Sequence, residues 1–153
     1  MLGMRSYPRE YIDACRSKVD ADVAAYRGLI AAAKNQPAAS KQLDQAIGAF
    51  ETVFFNDMTV VLDNFFVHRL RTVEGKDGNA LNEVRVLCDS MLENNNIMSL
   101  DDFGSDSAGN KSIKLSPEKS VLKYKVGDEI KLKEEDFVLL SKAFFAEIER
   151  KFS

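Results

Sequence analysis

Apolar positions recur at steps of three and four along most of the chain, the spacing of one helix face, and predict a mainly α fold. The first stripe is Ile12, Cys15, Val19, Val23, Tyr26, Ile30 and Ala33. Pro8 is placed to open this helix, since its missing N–H costs nothing in a first turn. Pro37 closes it, because the residue before a proline resists the helical conformation. A second stripe, Leu43, Ile47, Phe50, Phe54, Met58, Val61 and Phe65, predicts a helix from about 37 to about 71. Unbroken, it would be roughly 50 Å long at ~1.5 Å per residue. Val53, Phe55, Val60, Leu62, Phe66 and Val67 add apolar side chains on its other faces. A helix apolar around its circumference is covered on several sides, by its own domain or by a partner.

The run Glu74-Gly75-Lys76-Asp77-Gly78-Asn79 breaks the pattern. A third helix is expected from about 80 to 94, with Asn79 as N-cap and a stripe of Leu81, Val84, Cys88 and Met91. Residues 99–111 are small and polar and read as a flexible loop. Leu122, Tyr124 and Val126, then Ile130 and Leu132, alternate about Gly127-Asp128, which predicts a β-hairpin over about 121–132. A third short strand is expected near Ile113. The last helix starts around Glu134. Its acidic first turn (Glu134, Glu135, Asp136) and basic last turn (Arg150, Lys151) complement the helix dipole. The expected architecture is a single domain over 1–153, four-helix bundle-like, with a small β-hairpin inserted before the last helix.

Composition narrows the partners. The chain has 153 residues, 45% of them hydrophobic, and a net charge of -3, so no global field favours nucleic acid. Lys111, Lys114, Lys119, Lys123, Lys125, Lys131 and Lys133, with Tyr124 between lysines, make the β region basic, as an RNA-binding hairpin would be, but lysines also guard solvated strand edges, and that reading is preferred. No stretch approaches the ~20 apolar residues of a membrane span. The first residues lack the apolar core of a signal peptide, which points to the cytoplasm. Cys15 and Cys88 both lie on helix stripes, as buried thiols in a reducing compartment would.

Candidate chemistry gathers at the break. His68, the one histidine, follows Asn64 and Asp57 at helical spacing. These three could hold a metal or relay a proton, but no second histidine supports a metal motif, and the plainer reading is a histidine in an interhelix contact. Arg69, Arg71 and Lys76 supply positive charge beside the glycines, and Asp77 and Asn79 lead into free helix N–H groups, together a candidate anion site. The loop is neither a P-loop nor an EF-hand. Pairing of Arg69 and Arg71 with Glu74, Asp77 and Glu83 would explain the same charges structurally, and is the favoured reading. No serine or cysteine has a nucleophile context, and no catalytic residue, metal ligand set or cofactor motif is assigned.

The segments FFVHRLRTVEGKDGNALNEVRVLC and SVLKYKVGDEIKL, with the closing AFFAEIERKF, resemble a group of short uncharacterised bacterial proteins of actinobacterial type. The resemblance spans roughly the last two thirds of the chain and implies a stand-alone cytoplasmic protein. It brings no activity, ligand or catalytic residue. The first helix and the 99–111 loop lie outside it.

Two functional expectations follow. The first is a non-enzymatic helical domain acting through self-association or a protein partner, with Val53, Phe55, Val60, Phe66 and Val67 as the interface left over after one stripe is buried. The alternative is a small-molecule or anion-binding domain, an enzyme in its strongest form, with a pocket formed by His68, Arg69, Arg71, Lys76, Asp77 and Asn79.

Overall fold

The computed structural model describes residues 3–37, 40–100 and 113–153. Five helices are present among them: α1 Arg9–Lys34, α2 Lys41–Phe65, α3 Arg71–Glu74, α4 Ala80–Glu93 and α5 Glu134–Phe152. The mainly α class is therefore as expected. α5 packs against each of the others, and α2 also meets α1 and α4. The core they share includes Ile12, Phe55, Leu62, Leu87, Phe137 and Phe144, all fully buried.

The predicted ends of α1, α4 and α5 match the structure within a residue or two. Asn79 caps α4 as its spacing suggests, its Oδ1 accepting the N–H groups of Leu81 at 2.9 Å and Asn82 at 3.2 Å. α2 departs from expectation at both ends. It opens at Lys41, where the Ser40 hydroxyl accepts the Leu43 N–H, and it stops at Phe65 instead of running to 71. The cause of the stop is tertiary. The N-terminal segment pairs with this stretch, Met4 N–H donating to the His68 carbonyl at 2.6 Å and Leu70 N–H to the Met4 carbonyl at 2.8 Å. The Arg69 guanidinium also turns back and donates to the Phe66 carbonyl at 3.1 Å. Backbone groups that would continue the helix are thereby taken.

The expected β-hairpin over 121–132 is absent: the described residues hold no strand, only isolated bridges at Met4–Arg69 and Ile97–Glu129. A turn does form there, one residue earlier than the pattern suggested. Lys125 accepts the Asp128 N–H at 3.0 Å, which puts Gly127 second among the central residues at φ 95°. The ladder is replaced by two buried side chains. Glu83 accepts the N–H groups of Val121 (2.7 Å) and Leu122 (3.1 Å). Asn56 donates to the Ile130 carbonyl (2.9 Å) and accepts the Leu132 N–H (3.1 Å). Backbone groups of each half are thus taken by a helix side chain, the second half also pairs with Asn96 and Met98, and the halves meet through the Lys131 N–H donating to the Tyr124 hydroxyl at 3.0 Å. No third strand forms at Ile113 either. Of the expected 99–111 loop, residues 101–111 lie outside the described residues.

Candidate functional site

Between the end of α2 and the start of α4 the chain builds a buried ionic cluster. The Arg69 side chain is fully buried, 2.8 Å from Asp63 Oδ1 and 3.4 Å from Glu74 Oε1. Arg85, reaching in from α4, grips Glu74 with two bonds, Nη2 to Oε2 at 2.6 Å and Nε to Oε1 at 3.2 Å. Asn82 donates to the same Oε1 at 3.3 Å. The Phe144 ring closes the far side, its centroid 5.5 Å from Arg69 Cζ. Two guanidinium and two carboxylate groups balance in charge, the condition under which buried ions are tolerated. Burial alone would raise the Glu74 carboxyl, but the Arg85 hydrogen bond and the charges of Arg69, Arg85 and Arg71 outweigh it and hold the group below its ordinary range. Glu83, with no guanidinium beside it, goes the other way: burial pushes it up against the two N–H groups it accepts.

The loop that follows is tied to its own chain. Asn79 Nδ2 donates to Asp77 Oδ1 (2.6 Å) and to the Glu74 carbonyl (2.9 Å), and that first bond lowers the Asp77 carboxyl. Lys151 of α5 also donates to the Glu74 carbonyl, at 2.6 Å. The Lys76 carbonyl accepts the Lys114 N–H at 3.0 Å. Gly78 has φ 85°, and a Cβ there would come within 2.4 Å of the Lys114 carbonyl oxygen. Glycine is required by both conformation and contact.

The six candidate ligand residues are thus not gathered around one concavity. Arg69 is spent in the ionic cluster, Asp77 and Asn79 on each other and on the α4 cap, and Arg71 is exposed. Of the charge pairing expected, Arg69–Glu74 forms, while Glu83 binds backbone N–H groups instead of arginine. Among the described residues no group of three or more His, Cys, Asp or Glu side chains is arranged to hold a metal. His68 stands apart on the rim of a groove of about 510 Å³ walled by Met4, Tyr7, Tyr11, Phe65 and Val67. In that wall the Tyr11 hydroxyl donates to the Phe65 carbonyl at 2.5 Å, and burial raises its pKa to about 12. Neither Lys76, Asp77 nor Asn79 lines this groove.

The candidate interface also divides. Phe55 and Phe66 are fully buried in the chain's own core, so they present no surface. Both close T-shaped aromatic contacts there, Phe55 with Tyr26 at 4.7 Å and Phe66 with Tyr7 at 4.9 Å. Val60 is half-buried, whereas Val53 is 59% and Val67 45% exposed. Sequence pattern points to Glu74 and Glu83 only as partners for arginine, and does not mark Arg85 or Asn56 as key polar groups. The available signal was a charged or amide side chain at positions flanked on the helix by apolar neighbours.

No family model matches the chain, and neither a curated protein nor a solved structure matches it significantly.

Proposed function

We propose that this chain is a non-catalytic helical protein that works through association, in the first place with itself. The observation that carries the reading is the outer end of the α1–α2 pair. Arg27 pairs with Glu134 at the start of α5, and Glu51 accepts the Glu134 N–H at 3.2 Å. Past this point, residues 28–34 and 41–50 run on beyond the end of α5. Every side chain there is exposed except Ile30, Ala33, Leu43 and Ile47, which are half-buried. Two helices alone cannot close a core, so their shared seam stays partly wet. Leu29, Phe50 and Val53 stand exposed beside it at 57%, 43% and 59%. Exposed apolar side chains beside an unfinished seam are what association covers. The buried free thiols Cys15 and Cys88 suit a cytoplasmic setting. Light scattering coupled to size exclusion tests the reading: a mass above 17.1 kDa that rises with concentration supports it, and a monomer throughout removes self-association.

A second reading, binding of a small apolar molecule, is favoured by the groove at His68. Its volume of about 510 Å³ lies within the ~300–1,000 Å³ of ligand pockets. Indole is a suitable probe. Shifts of the His68 imidazole signals on titration support the reading, and an unchanged spectrum at saturating indole removes it. The anion site at 76–79 has less behind it, because Asp77 and Asn79 are satisfied within the chain.

A further inference from the structure

We infer that the outer face of α2 docks on the same face of a second copy, the two α2 helices running antiparallel about a two-fold axis at Ala49–Phe50. The inference rests on the self-association reading and gives it a surface. The face is made of Gln42, Ala46, Ala49, Val53 and Asp57, which follow one another at steps of four, three, four and four and are all exposed. Phe50 forms its border, stacked on Tyr26 of α1 at 6.3 Å, and Leu29 lies one turn along α1 from that tyrosine.

Chemistry selects the occupant. Between Gln42 and Asp57 this face carries no charge. It offers nothing to recognise an acidic or basic partner, and two copies brought together do not repel. It is also complementary to itself. Antiparallel packing about Ala49–Phe50 sets Phe50 opposite Ala49 and Val53 opposite Ala46, large side chains over small ones. That lets the axes approach to the ~8–10 Å of packed helices. Asp57 of each copy then falls beside Gln42 in the first turn of the other α2. There the exposed Lys41 and the positive end of the helix dipole supply opposite charge. Overlap of positions 41–58, joined by the end of α1, builds a four-helix bundle and completes the half-buried seam of Ile30, Leu43 and Ile47. Stable interfaces bury on the order of 800 Å² per partner. A single helix face with Val53 and Phe50 as its large apolar side chains makes a weak dimer, expected to dissociate in the micromolar regime.

Two variants test it. Ala49→Cys should form a disulfide-linked dimer under mild oxidation on a non-reducing gel, while Ser17→Cys, exposed on α1, stays monomeric. The native Cys15 and Cys88 are buried and do not compete. Val53→Glu, at an exposed position the fold does not need, should weaken the dimer at least about tenfold in sedimentation velocity, with Val67→Glu unchanged. A dimer that survives Val53→Glu, with no Ala49→Cys cross-link, overturns this surface and leaves self-association standing. A wild-type chain monomeric at about 100 µM overturns both.

Discussion

Replacing Glu74 with glutamine should destabilise the fold by about 3–5 kcal/mol, the usual cost of removing one member of a buried ionic cluster. The carboxylate is 1% exposed and meets Arg85 twice, at 2.6 and 3.2 Å, and Arg69 at 3.4 Å. The amide keeps its shape but removes the negative charge, leaving Arg69 with Asp63 and Arg85 with only the longer-range charges of Asp63 and Asp89. Its NH₂ would also face N–H donors. For a chain of this size ~1 kcal/mol moves Tm by about 2–4 °C, so a fall of roughly 6–20 °C is expected by calorimetry. The pH dependence has a definite sign. A carboxyl held below its unfolded value contributes stability that is fully present above that unfolded value, ~4.3, and is lost as pH falls through the lower folded one. Glu74→Gln should therefore flatten the acid limb of the stability profile. A loss under about 1 kcal/mol, with the acid limb unchanged, would refute the claim that this cluster is desolvated and coupled.

The helices were legible because burial of one face leaves a periodic trace, as in the run from Ile12 to Ala33 along α1. The Asn79 cap was legible because its partners are two and three residues away. What failed depends on distant partners. Residues 121–132 alternate like a hairpin, but Glu83 and Asn56 bind their backbone from α4 and α2. The helix expected to run to 71 stops at Phe65, where Met4, some 60 positions earlier, takes the His68 carbonyl. At the candidate site the Arg69–Glu74 pair was legible from its five-residue spacing, but the burial around it was not. Asp63 and Arg85, which complete the cluster around that pair, come from the end of α2 and from α4.

Further consequences are open to measurement. Glu83→Gln retains one acceptor for two N–H groups, so the Val121 or Leu122 amide should lose hydrogen-exchange protection, at a cost of about 1–3 kcal/mol. With its carboxyl pushed up by burial, Glu83 contributes stability that is present below the unfolded value and lost as pH rises through the folded one, a slope this variant should remove. Gly78→Ala should destabilise by about 1–3 kcal/mol through its positive φ and the Lys114 carbonyl. Gly28→Ala, with nothing within 4 Å of the new methyl, should stabilise α1 by ~0.5–1 kcal/mol, and equal signs in urea unfolding would contradict the glycine assignments. Both cysteines, free and buried with their thiols pushed up by desolvation, should resist thiol reagents until the chain unfolds.

In the proposed dimer a second copy of the chain covers the exposed outer end of α1 and α2. Sedimentation velocity on the wild-type protein from about 1 to 100 µM tests it most directly. A shift from the 17.1 kDa species to one of twice that mass is expected across this range, moved by Val53→Glu to concentrations at least about tenfold higher. A single 17.1 kDa species at every concentration would contradict it.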